Sequence, residues 1–164
     1  MTYLGAKEEE KISELDEIDR RILNILSENA RTKLTAIARK INLSVDSTKK
    51  RVEKLEKDGV IVKYTIQPDA HRIGLSLGVH IYMKLKNVKQ ERYDEFIEQM
   101  KKNPRVIDLL GMMGDYDVYI VILSKNSHVY EKTKIEIKQK FSDIIGDWKE
   151  VIVANLYKLE EYKF

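Results

Sequence analysis

The chain has 164 residues, 43% of them hydrophobic and 35% charged, which is room for one ordinary domain or two small ones with a genuine apolar core. The absence of cysteine excludes a disulfide framework, a thiolate zinc site, an iron–sulfur cluster and a cysteine nucleophile. The net charge of +3 is too small to name a partner, and no apolar run approaches the ~18 residues a membrane span needs, so the expectation is a soluble intracellular protein.

That mean charge hides a pattern. Residues 1–29 carry 4 bases and 8 acids, residues 30–64 carry 10 and 4, and residues 65–164 carry 16 and 15. A basic block inside a near-neutral chain is a local footprint of the kind polyanions read, or else the solvated face of a helix.

Residues 1–14 read as a polar, acidic extension. From Leu15, the residues Leu15, Ile18, Ile22, Ile25 and Leu26 fall at helical spacing, and the helix stops near Asn29. Lys33 to Ile41 repeats the pattern with Leu34, Ile37, Ala38 and Ile41. Asn42 then interrupts, because asparagine is one of the few residues besides glycine that tolerates a left-handed turn. Ser44 predicts the N-cap of a third helix that buries Thr48, Val52 and Leu55 and stops at Gly59. Val60 to Gln67 reads as a strand leading to a linker at Pro68-Asp69.

The second half has another rhythm. Leu75 to Lys86 reads as a strand with Val79, Ile81, Met83 and Leu85 on one face, and Gln90 to Lys102 as a helix facing inward with Tyr93, Phe96, Ile97 and Met100. Val106–Met113 and Tyr116–Leu123 read as strands joined at Gly114-Asp115. Ser127 is the expected cap of a helix carrying Val129, Thr133, Ile137, Phe141 and Ile144. Gly146-Asp147 reads as a break, and Glu150 to Lys158 as a last strand. The order β-α-β-β-α-β is the ferredoxin-like arrangement. Two helices cover one face of such a sheet, yet the strand at 118–123 is apolar on both: Val118, Ile120 and Ile122 on one, Tyr119, Val121 and Leu123 on the other. The uncovered face therefore predicts a homodimer through this domain.

Three short helices with a tight turn between the second and third, then a short strand pair, describe a winged helix-turn-helix, and the basic block coincides with it. The face of the third helix opposite its buried residues nominates Ser44, Val45, Asp46, Ser47, Lys49 and Lys50 as base-edge candidates on double-stranded DNA. Lys33, Thr35, Arg51, Lys54 and Lys63 are the phosphate candidates, which position without specifying. The alternative for Arg51 and Lys54 is pairing with glutamates along the same helix, as Lys50, Glu53 and Lys57 could.

The segments LDEIDRRILNILSENAR and LTAIARKINLSVDSTKKRVEKLEKDGVI, with GDYD at residues 114–117, resemble the Lrp/AsnC family of prokaryotic transcriptional regulators, from about Leu15 to Lys158. The resemblance implies an α+β chain: an N-terminal winged helix-turn-helix with linker strand over 15–68, and a C-terminal ferredoxin-like βαββαβ domain over 69–164 for ligand sensing and oligomerisation. It implies a homodimer through the C-terminal sheet, assembly into tetramers or octamers, and a small effector, often an amino acid, at a subunit interface. The matching positions are Gly114, Asp115, Tyr116 and Asp117. An α-amino acid needs an anion for its ammonium, which Asp115 or Asp117 offers, and donors for its carboxylate, which backbone N–H groups beside Gly114 offer. The structural alternative is that Gly114 makes the turn and the aspartates cap it.

Asn42 replaces the glycine common at the turn, and Trp148 has no role legible here beyond the edge of a packed strand. No cofactor or metal site is expected: His71, His80 and His128 are scattered. One catalytic branch of similar architecture, the sirohaem decarboxylases, carries a histidine- and aromatic-rich stretch in place of GDYD, and that stretch is missing. A low-specificity architectural DNA binder is the other alternative.

Overall fold

A computed structural model describes residues 13–155, 157, 158 and 162–164; the first twelve residues of the acidic extension read over 1–14 lie outside them. The chain divides into two compact units, one holding the residues up to Gln67 together with Lys158–Phe164, the other Pro68–Tyr157.

The first unit contains α1 (Glu17–Glu28), α2 (Leu34–Ile41) and α3 (Val45–Lys57). Each start has a physical cause. Asp16 caps α1 by accepting from the Asp19 N–H at 2.8 Å. Ser44 caps α3 by accepting from the Ser47 N–H at 3.1 Å. Asn42 ends α2 at φ 59°, and Gly59 stands at φ +70° after α3, both in the left-handed region. Ile22, Leu23, Ile37, Ile41, Val52 and Leu55 form the core, with Thr48 fully buried and its hydroxyl donating to the Ser44 carbonyl at 2.9 Å.

The expected strand over Val60–Gln67 does not form. The Val60 and Ile61 N–H groups donate back to the Leu55 carbonyl, and the residues that follow join no strand ladder among the described residues. Strand geometry needs a neighbour to satisfy its N–H and C=O groups, and Val62 (65% exposed) and Ile66 (80%) have none among the described residues.

The second unit is β1 (Leu77–Leu85), α4 (Gln90–Lys102), β2 (Val106–Gly111), β3 (Val118–Ser124), α5 (Ser127–Lys140) and β4 (Ile145–Ile152). The strands form one antiparallel sheet in the order β2-β3-β1-β4, the ferredoxin-like order. One face carries Val79, Ile81, Met83, Val118, Ile120 and Ile122, all fully buried against Phe96 and Met100 of α4 and Tyr130, Ile137 and Phe141 of α5 and its end. The two helices share that face, as the apolar spacing predicts. On the opposite face His80, Tyr82, Tyr119 and Leu123 are only half-buried. There the rings of Tyr116, Tyr82, Tyr119 and His80 follow one another in contact, and Tyr119 hydrogen-bonds to His80 Nδ1. Burial, reinforced by Tyr82 and Asp108, pushes the Tyr119 hydroxyl up to about 12.

Two expectations need correction. Asn126, not Ser127, caps α5, accepting from the Val129 N–H at 3.0 Å; Ser127 is the first helical residue. Gly146-Asp147 is not a break but part of β4, which begins five residues earlier than expected. The glycine marks a bulge against Lys84 and Leu85. A Cβ on Gly146 would stand 3.3 Å from the Lys84 carbonyl oxygen, so its role is close backbone approach. Trp148 finds its place on this strand opposite Met83, packed at the edge of the core, its Nε1 donating to Glu150 at 2.8 Å.

Candidate nucleic-acid interface and the turn at residues 112–117

Burial of Thr48, Val52 and Leu55 turns the other side of α3 to solvent, and Val45, Asp46, Ser47, Lys49, Lys50 and Lys54 are all exposed. The cap consumes the two serines: the Ser44 hydroxyl donates to Ser47 Oγ at 2.8 Å while accepting from the Ser47 N–H. Ser44 thus sets where the helix begins. Lys49 meets Glu53 at 3.7 Å, with both side chains more than half exposed, a contact worth little in water. Lys33, Lys50, Lys54 and Lys63 have no ion pair among the described residues. Thr35 is exposed in the first turn of α2.

Arg51 behaves differently. Its Nη1 lies 2.7 Å from Asp16 Oδ2 and 2.7 Å from Asp19 Oδ1, and Asp19 is buried. The two carboxylates raise the guanidinium above its ordinary value. The Asp19 backbone N–H, followed by Arg51, holds the Asp16 carboxyl below its own. The partners of Arg51 are aspartates of the α1 start, not the glutamates along α3 that the sequence reading offers. The residue ties α3 to the start of α1, and the two aspartates of the opening LDEID segment are its partners. Sequence reasoning did not find that pairing, because 35 and 32 positions separate the groups. The Arg21 guanidinium likewise joins α1 to α2 by donating to the Lys40 carbonyl.

The second place is the turn between β2 and β3. Met112 N–H donates to the Asp117 carbonyl at 2.8 Å, and Gly114 takes φ +142°, which favours glycine. The two aspartates part company. Asp117 Oδ2 accepts from the Leu85 N–H at 2.7 Å and Oδ1 from Lys84 Nζ at 3.0 Å. The Asp117 N–H donates to the Met83 carbonyl at 2.9 Å. The Leu85 N–H, followed by Lys84, keeps this carboxyl below its ordinary value. Asp115 is exposed, as are Met112 and Met113, and Tyr116 lies against Tyr82 with centroids 5.8 Å apart. A hollow of about 310 Å³ is lined by Asp117 together with Leu85, Asn87, Val88 and Tyr93. The last four were not legible as site residues, since only the β1–β3 pairing brings the end of β1 and the start of α4 beside the turn.

Residues 15–62 match the family model described as winged helix-turn-helix DNA-binding. Over 132 residues, 80% of each chain, the sequence is 33% identical to the HTH-type transcriptional regulator FL11 of Pyrococcus horikoshii. Among solved structures, the fold matches a transcriptional regulator from Neisseria meningitidis, NMB0573, in complex with L-Met. The TM-score is 0.83 at 19% identity, over 91% of this chain and 96% of that one. It also matches Escherichia coli AsnC, with a TM-score of 0.80 at 24% identity over 92% and 99%. The matching helix-turn-helix, the relationship to FL11 over most of both chains and the ferredoxin-like order of the sheet agree: this chain belongs to the Lrp/AsnC family of DNA-binding transcriptional regulators.

Proposed function

We propose that the chain regulates transcription by laying the first turns of α3 in the major groove of double-stranded DNA. The observation that carries this is the solvent face of α3: Lys49 and Lys50 are exposed beside Asp46, in the segment that holds the chain's basic excess. In this reading Lys49, Lys50, Val45 and Asp46 meet base edges, with Ser44 and Ser47 building the start of the helix. Lys33, Thr35, Lys54 and Lys63 meet phosphates, and Arg51 positions α3 from within. The protein acts as a homodimer joined through the half-buried sheet face of His80, Tyr82, Tyr119 and Leu123, assembles further, and works without catalysis in the cytoplasm, on the nucleoid. The relatives are regulators, and no described helix is long and apolar enough to cross a membrane.

A small effector, an amino acid by chemistry, binds at a subunit interface beside residues 114–117. Asp115 offers the free carboxylate for an ammonium and the hollow next to Asp117 offers space. The Neisseria relative was solved with L-Met, which makes methionine the first compound to try.

Competition binding at stated salt tests the DNA reading. A regulator prefers its own promoter over random duplex by ~10³-fold or more, an architectural protein far less. Lys49→Ala with Lys50→Ala together lowers promoter affinity by roughly ten- to a hundredfold and reduces the salt slope. Unchanged affinity would remove α3 from the groove. A thermal-shift screen of the twenty amino acids, with oligomer mass measured alongside, tests the effector, and no stabilisation by any of them rejects the site at the turn.

A further inference from the structure

Asn24 stands in the middle of α1, where asparagine is a weak helix former because its amide competes for backbone groups. The amide here does not serve its own helix. Asn24 Nδ2 donates to the Phe164 carbonyl at 3.0 Å, and Asn24 Oδ1 accepts from the Phe164 N–H at 3.0 Å. One side chain thus captures both backbone groups of a residue 140 positions away, pairing with main chain as a neighbouring strand does. Two hydrogen bonds of this kind read backbone and not side-chain identity. Beside them the Tyr162 and Phe164 rings stack with centroids 6.2 Å apart. Residues 158–164 group with the helical unit, although the chain reaches them only after completing β4.

We propose that Asn24 is a docking site for main chain and that residues 162–164 are its resident occupant, a strap latched onto the back of α1. The occupant is this chain's own segment because the structure seats it there with both hydrogen bonds made. The consequence follows from chain connectivity. The helical unit is joined to Pro68–Tyr157 at Gln67–Pro68 and again at Tyr157–Lys158, so a closed latch makes the second junction a tether as well. A unit held by two tethers has less orientational freedom to lose when it docks on DNA. The latch is weak enough to open: two hydrogen bonds of ordinary net strength favour the closed form on the order of tenfold. Its opening therefore loosens the DNA-reading unit without unfolding it.

The test uses the full chain, and its affinity arm rests on the DNA-binding reading while its exchange arm does not. Asn24→Ala improves the intrinsic helix propensity of α1, so any loss it causes belongs to the latch. Hydrogen exchange of the Phe164 amide should be slowed about tenfold in the wild type, and Asn24→Ala should abolish that protection. The same duplex, recovered from a random-sequence pool by the wild-type chain, then serves for Asn24→Ala, for deletion of residues 162–164 and for both changes combined. The two single changes should weaken binding by the same factor, roughly three- to tenfold, and the combination by no more than either. Asn24→Asp keeps the acceptor, loses the donor and falls between. A Phe164 amide that exchanges as in an unstructured peptide would show that no latch exists, whatever the DNA result. A protected amide with unchanged affinity in all variants would overturn the tether, and additive losses would show that Asn24 and the strap act separately.

Discussion

The third helix and the turn between β2 and β3 handle charge by the same rule with different means. In each, one charged residue of the motif is spent on architecture while its neighbours remain in water. On α3 the spent residue is Arg51, held at 2.7 Å by both Asp16 and Asp19, while Lys49, Lys50 and Lys54 stay exposed. In the turn it is Asp117, held by a backbone N–H and a lysine, while Asp115 stays exposed. The difference lies in what is locked. Arg51 joins two helices through a buried carboxylate, so it supports the packing of the whole helical unit. Asp117 pins a turn to the end of one strand, so its influence is local. A motif residue's charge is therefore poor evidence of ligand contact until its partners are known.

The largest effect should come from Arg51. Arg51→Ala leaves Asp19 buried without its cation and should cost about 2–3 kcal/mol of stability of the helical unit, read by chemical denaturation. If Arg51 instead served phosphate alone, its removal would lower DNA affinity and leave stability untouched. Next, Asp117→Ala strands the Leu85 N–H and should cost about 1–2 kcal/mol, whereas Asp115→Ala should leave stability within about 0.5 kcal/mol and act only on effector binding. Equal destabilisation by the two would erase the distinction drawn between them. Ser44→Ala removes the cap of α3 and should cost about 1 kcal/mol, with a parallel loss of helicity by circular dichroism.

The smallest effect is on the acid side. The Asp16 and Asp117 carboxyls are depressed in the folded chain below the ordinary 3.8. A depressed carboxyl contributes stability that is fully present above its unfolded value and is lost as pH falls through the lower folded one. Stability should accordingly decline below pH 3.8, and Asp117→Ala should flatten that decline in the sheet unit. A decline of unaltered steepness would assign the acid sensitivity to other groups.

Most of the architecture was legible because it rests on local rules. The boundaries of α4 at Gln90 and Lys102, the left-handed Asn42, the cap at Ser44 and the buried trio Thr48, Val52 and Leu55 follow from periodicity and capping alone. The failures have one cause each. Val60–Gln67 has the composition of a strand, but a strand is defined by its partner, and the described residues offer none there. Gly146 looks like a breaker, but its missing Cβ serves the approach of Lys84, a demand set by another strand.

By itself, then, the sequence determined the order of helices and strands, the position of α3, the basic excess around it and the two-faced apolar strand at 118–123. Each of these depends on neighbours within a few positions, where spacing translates directly into a face or a turn. Only the tertiary structure decided which charged and polar side chains are engaged: Arg51 with Asp16 and Asp19, Asp117 with Lys84 and the Leu85 N–H, Asn24 with Phe164. Those partners lie 32 to 140 residues apart, and their meeting is set by how helices cross and strands pair. The physical reason is that a hydrogen bond or ion pair depends on distance in space, which residue spacing along the chain specifies only within one element.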